Sequence, residues 1–385
     1  MRTLYMAALS MGILLSCGEK KDEVTLSGLR KADFVAEVGG KAVALYVLTN
    51  DNGLEAAITN YGGRWVSMMV PDRNGDPVDV VLGYDNIDAY IASPGNFGAL
   101  IGRYGNRIAN ARFTLDGVDY NLPQNNNGHS LHGGPEGFHA RVWDARQVDA
   151  HTLELSYLSG DGEAGFPGNL NVKVTYRLTD DNALDISYEA VTDEPTVINL
   201  THHSYFNLSG VAGSDVTGQL IHISADSYTP VDSTLIPTGV IAPVEGTPLD
   251  LRTPVLIGER IDEDFDQLVI GGGYDHNWVL NTGGDISRQA AGASSDISGV
   301  VLEVYTGEPG IQLYTGNSMS GYDVGKHGVT YPRRGAFCLE TQHFPDSPNR
   351  PDFPITVLRP GEKYTSRCIY RFTVDSKGTA IGSDI

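Results

Sequence analysis

Cysteine is scarce. There are three in 385 residues, at positions 17, 338 and 368, too few for a fold held together by disulfides. No spacing of His, Cys or acidic residues matches a metal-ligand motif, so no metal is expected, and no other cofactor. Basic residues are also few: 27 Lys and Arg face 48 Asp and Glu, a formal net charge of −21. A field of that sign disfavours nucleic acid, and disfavours anionic membrane as a surface to adhere to. No apolar run reaches the roughly 20 residues of a membrane-spanning helix. Helical periodicity is nearly absent, which argues against alternating βαβ units. Pro/Ser-rich linkers, charge blocks and internal repeats are missing, so nothing splits the chain past its first residues.

What is present is the composition of a globular protein, 41% hydrophobic and 19% charged. Short alternating or β-rich runs recur, among them residues 42–49, 78–82, 153–158, 172–178, 184–190, 197–200, 300–305, 311–314, 336–339 and 364–374. Gly, Asn, Asp and Pro clusters lie between them, as in Asp72-Arg73-Asn74-Gly75-Asp76-Pro77. This rhythm predicts an all-β fold, an antiparallel sandwich or barrel. One short helix is expected at 86–92. Residues 283–298, small and polar without periodicity, are expected to form a loop.

The N-terminus reads as an export signal. Met1 and Arg2 precede an apolar run from Leu4 to Leu15, too short to span a bilayer. Leu14-Leu15-Ser16-Cys17 resembles the bacterial lipoprotein signal, in which cleavage exposes the Cys for lipidation; a conventional cleaved signal is the alternative. The expected division is a signal at 1–16, a charged tether at 17–33 and a catalytic domain at 34–380. Cys17 is then the lipid anchor, holding the protein to a bacterial cell envelope at the periplasmic face or the outer surface. For Cys338 and Cys368 a bridge and two buried thiols remain open.

Several segments combine polar and aromatic residues in a way that core packing does not require. Glu340 follows the apolar run 336–339, expected to be a buried strand. A carboxylate just past such a strand is costly unless it is paired, useful or turned to water. His202 and His203 are adjacent, so in a strand their side chains take opposite faces and cannot jointly hold a metal. His129 and His132 lie in a stretch rich in Asn and Gly. Asn106 and Arg107 offer fixed donors of the kind that anchor sugar hydroxyls, or a loop-to-sheet salt bridge.

Together these segments resemble the aldose 1-epimerase (galactose mutarotase) family. The matching strings are residues 102–110, Leu131-His132-Gly133-Gly134, residues 199–208, Asp275-His276-Asn277, residues 302–317 and 339–346. They stand in the family's order and cover about 34–374. The resemblance implies a large antiparallel β-sandwich, the galactose mutarotase-like supersandwich, acting as a monomer on a small aldose. It implies Glu340 as catalytic base and His203 as catalytic acid. It also implies His132, Asn106, Arg107, Asp275 and Gln312 as sugar-binding residues. At position 202 the family usually has Asn; His202 is expected to point away from the acid.

The reaction implied is acid–base exchange of α and β anomers, such as those of galactose or glucose, through ring opening. It expects Glu340 to be ionised at neutral pH and His203 to be protonated, with Asp275 favouring that proton. Alternatives are a glycosidase using Glu340 and Asp275 as paired carboxylates, a sugar-binding module without catalysis, and an enzyme for hexose 6-phosphates. The last would need a cationic cluster that the matched strings lack.

Overall fold

The strand Leu170–Leu178 buries every second residue, Leu, Val, Val, Tyr and Leu, and turns the others outward. That is what the alternating faces of a strand dictate when one side is wet. In the computed structural model, which describes residues 23–93 and 95–375, this strand belongs to a nine-stranded antiparallel sheet. Its order is 144–147, 152–159, 170–178, 183–192, 364–374, 300–306, 289–294, 220–223 and 255–256. A four-stranded sheet (45–49, 55–59, 64–71, 77–79) and a five-stranded sheet (242–243, 227–229, 275–279, 310–314, 338–342) complete the main layers. One continuous core joins them, with Trp65, Tyr176, Trp278, Leu313, Leu339 and Tyr370 at its centre. The all-β sandwich expected from the strand rhythm is the fold.

The single expected helix is present at Ile87–Ala92, capped by the Asn86 side chain on the Ala89 N–H. No helix among the described residues is long and apolar enough to cross a membrane. Two sequence expectations need correction. Residues 283–298 are not all loop: Gln289–Ser294 is an inner strand paired on both sides. Its Ala290, Ala291 and Ala293 are fully buried. Being Ala and Gly, it has none of the branched side chains by which a strand is recognised; its neighbours hold it in the sheet. Nor is all of 17–33 a free tether. Lys31–Phe34 forms a 3-10 turn, and Leu29 and Phe34 are buried against Val43, Leu45 and Tyr90. The charges around them pair locally, Lys31 with Glu23 and Arg30 with Asp33. Residues 1–22 and 376–385 lie outside the described residues, and with them Cys17 and the signal.

Candidate active site

The five-stranded sheet has one apolar face and one polar face. Register places Trp278, Ile311, Leu313 and Leu339 together on the core side. The opposite side carries Asp275, Asn277, Gln312, Tyr314, Glu340 and Gln342, cross-strand neighbours in the same registers. Glu340 is therefore not past the end of a buried strand, as its sequence position suggested. It lies in the middle of Cys338–Gln342, every residue of which is buried. The polar face is covered by loops rather than by water, and a cavity of about 200 Å³ remains between them. Asn106, Arg107, His132, His203, Asp275 and Glu340 line it, with Asn96, Asn126, Leu131, Tyr205, Tyr314 and Ser318. A hollow of about 400 Å³ on the nine-stranded sheet is larger, but no histidine lines it.

His203 reaches the cavity from the short strand Thr201–His203, paired with Ala99–Ile101. Its Nε2 lies 3.6 Å from Glu340 Oε1. Nδ1 of His203 and Oε2 of Glu340 are buried and have no hydrogen-bond partner. His202 goes to the other face, as alternation requires. There Tyr176 donates its hydroxyl to the Gly63 carbonyl at 2.6 Å, so His202 Nε2 donates to the Tyr176 oxygen at 3.0 Å. Nδ1 then accepts from the Ser204 hydroxyl at 2.7 Å.

His132 enters from the Leu-His-Gly-Gly turn, which is closely fitted to residues 102–106. A Cβ on Gly133, at φ +79°, would stand 2.1 Å from the Gly102 carbonyl oxygen, so only glycine fits. The His132 N–H donates to the Asn106 carbonyl at 3.0 Å. In return the Asn106 N–H donates to His132 Nδ1 at 3.1 Å. A backbone N–H can only donate, so Nδ1 accepts and the neutral ring carries its proton on Nε2. Ligand-capable atoms of His132, His203 and Glu340 lie within 4.8 Å of one another, close enough for a cation. With Nδ1 occupied and Nε2 protonated, however, His132 has no lone pair to offer, and the donor set does not fit a metal. Arg107 is fixed by Nε donating to Asn126 Oδ1 at 3.0 Å. Asp275 accepts from Gln312 Nε2 at 2.7 Å.

Burial dominates the electrostatics. It pushes the Glu340 carboxyl well above the usual range, aided by the Asp275 charge and opposed by Arg107. It lowers His203 to about 3, and it holds His132 well below its ordinary value. Asp275 is raised by burial, against the pull of Arg107 and Gln312. In this pocket, then, burial favours neutral Glu340 and neutral His203, the reverse of the charge states expected from reference values. The two descriptions differ by a shift of one proton within the pair; neutral pair and ion pair both hold one. The carboxylate beside His203 is Glu340, while Asp275 is engaged with Gln312 and Arg107.

Of the residues picked out in the sequence, Glu340, His203, His132, Asn106, Arg107 and Asp275 meet at this cavity. Gln312 does not line it; it lies behind Asp275 and orients that carboxylate. Tyr205, Tyr314, Asn126, Asn96 and Ser318 were given no role from the sequence. Tyr314 had a usable signal, since it stands two residues past Gln312 in one strand, the spacing that returns a side chain to the same face, whereas Tyr205 lies beyond the end of the strand that carries His203. Asn96 and Ser318 come from loops with no such cue. Cys338 and Cys368 are both free and buried, so the bridge left open in the sequence is not formed.

The chain matches the family described as "Aldose 1-epimerase" over residues 44–371. It is 45% identical to the galactose mutarotase of Rattus norvegicus over 336 residues, 87% of this chain and 96% of that one. It is 38% identical to the aldose 1-epimerase of Escherichia coli over 338 residues, covering 87% and 97%. Among solved structures it superposes on an aldose epimerase homologue from C. elegans with a TM-score of 0.79 at 30% identity, covering 86% and 99%. A galactose 1-epimerase from Lactobacillus acidophilus gives 0.78 at 27% identity, covering 88% and 97%.

Proposed function

Because the chain belongs to the aldose 1-epimerase family, we propose that Glu340 is the base and His203 the acid of its reaction, with galactose and glucose among its substrates. The enzyme is an aldose 1-epimerase: it interconverts the α and β anomers of a free aldose. The observation that carries the residue assignment is the approach of Glu340 Oε1 to His203 Nε2, 3.6 Å apart in a buried polar pocket. Their remaining polar atoms have no other partner.

Glu340 takes the proton of the C1 hydroxyl as His203 delivers one to the ring oxygen. The bond between C1 and that oxygen breaks, giving the open aldehyde. Rotation about the C1–C2 bond presents the other carbonyl face, and closure returns both protons to their starting groups. Each transfer contributes about 10²–10⁴-fold. His132, its proton fixed on Nε2, acts as a donor to a sugar oxygen and not as a proton shuttle. Losing that proton would leave an anion, and gaining one would break the Asn106 bond. Arg107, Asn106 and Asp275 hold hydroxyls and hold the C1 end between the pair. Gln312 supports Asp275 from behind.

Activity requires the one proton that the Glu340–His203 pair shares. The rate therefore falls at high pH as that proton is lost and at low pH as a second is added, giving a bell-shaped profile. The decisive experiment follows optical rotation of α-galactose, and separately α-glucose, toward equilibrium. Acceleration over the protein-free trace that disappears in Glu340→Gln supports the assignment. A fully active Glu340→Gln enzyme overturns it.

We also propose that Cys17 carries a lipid and that the enzyme acts at a bacterial cell envelope, on the strength of the Leu-Leu-Ser-Cys string after a short apolar run. Labelled palmitate tests this: label lost in Cys17→Ala supports the anchor, and unchanged label removes it.

A further inference from the structure

A catalytic histidine is ordinarily aimed by a hydrogen bond on the ring nitrogen that does not react. His203 has none from a neighbouring residue: Nδ1 is buried without a bond of proper geometry, and only its own main-chain carbonyl lies near enough to favour the protonated ring. Its Nε2 contact with Glu340, at 3.6 Å, is too long for a hydrogen bond. What touches the imidazole is aromatic. The Tyr205 ring lies nearly parallel to it, with centroids 4.9 Å apart and planes inclined by 14°. His132 meets it edge-on at 5.2 Å and Tyr314 at 6.2 Å. Tyr205 is itself held by Phe97, whose ring centroid is 4.5 Å away, and by the edge of Tyr314.

We propose that Tyr205 is the positioning residue of the acid: its ring fixes the plane of the His203 imidazole and favours the imidazolium form. The face of an aromatic ring attracts a cation stacked upon it, more strongly when water is excluded. A stack also leaves both ring nitrogens free of protein bonds, so the proton can move toward the sugar without first breaking one. The titratable groups facing His203 are Glu340 from the strand Cys338–Gln342, His132 from its turn and Tyr314 from the strand Gly310–Tyr314. Arg64 and His139 act on it from further off. None of these lies flat on the ring.

The test compares Tyr205→Phe with Tyr205→Leu by polarimetry across pH, with folding checked by thermal unfolding. Tyr205→Phe keeps the stack and is expected to keep kcat within about twofold and the alkaline limb in place. Tyr205→Leu removes it. Its kcat is expected to fall about tenfold, with KM changed far less. The loss falls on kcat because less of the shared proton sits on the imidazole as the reaction begins. Should Tyr205→Leu fail to fold, Tyr205→Met gives the same reading. A Phe variant as impaired as Leu would assign the effect to the hydroxyl and overturn the proposal. So would a Leu or Met variant in which KM rises and kcat holds, the mark of a plain sugar contact. The proposal rests on His203 as the acid, and His203→Asn separates the two: full activity there sinks the acid assignment, not the stacking.

Discussion

His202 and His203 are neighbours in the chain, 1% and 5% exposed, and burial lowers both to about 3. By composition, burial and charge they are the same residue twice. What separates them is the face of one short strand. His202 faces the core, where Tyr176 and Ser204 satisfy both nitrogens and fix its proton. His203 faces the cavity, with Nδ1 unpartnered and Nε2 turned toward Glu340. A perturbed titration therefore does not identify a catalytic group by itself. The distinguishing mark is unused hydrogen-bonding capacity facing a space that a substrate can enter.

The contrast can be broken by substitution. Glu340→Gln, which keeps shape and removes the proposed base, is expected to lower kcat by about 10³–10⁴-fold in the polarimetric assay. His203→Asn is expected to lose about 10²–10³-fold and to flatten the alkaline limb; a sharp limb surviving in that variant would assign it to another group. Gln312→Leu leaves Asp275 without its donor. KM for galactose is expected to rise roughly tenfold, with a smaller change in kcat, whereas an unchanged KM would return Gln312 to a purely structural role.

The smallest kinetic effect is expected on the core side. His202→Asn should leave kcat within about twofold and cost about 1–2 kcal/mol through the bonds to Tyr176 and Ser204. Its signature is in stability against pH. His202 titrates near 3 in the fold against an ordinary 6.5, so between those values the unfolded chain binds more protons. The stability this confers is fully present above 6.5 and is lost as pH falls through that window, at up to about 1.4 kcal/mol per unit. Urea unfolding at pH 7 and pH 5 should show a shallower acid loss in His202→Asn than in the parent; equal slopes would mean that His202 is already protonated in the fold.

The sequence was most informative where one physical rule left few choices. Alternation in 170–178 fixes which side chains face the core, and adjacency sends His202 and His203 to opposite faces. Asn86 before Ile87-Asp88-Ala89 is a cap that can be recognised on sight. The gathering of six polar residues at one cavity was legible through family resemblance, because those residues come from segments as far apart as Asn106 and Glu340 that only tertiary pairing unites. Other features depend on partners that the local sequence does not name. The strand Gln289–Ser294 is made by its neighbours on both sides. Gln312 sits in register with Asn277 and Glu340, and its amide reaches diagonally to Asp275 instead of the cavity. Leu29 and Phe34 sit among charged residues whose pairing with one another frees the apolar side chains for burial.

The neutral charge states that burial favours at Glu340 and His203 bear on the energetics of turnover. In the reaction proposed here, the pair is carboxylate and imidazolium when a closed sugar is poised to react. With the sugar open, the carboxyl has gained the proton and the imidazole has lost it. The second arrangement is the one a desolvated pocket prefers. Open-chain aldoses are scarce in water, so the intermediate starts at a disadvantage that the pair's relaxation to neutrality offsets in part. On that assignment, the internal equilibrium between ring and chain is drawn toward unity, away from the strong bias toward the ring in water.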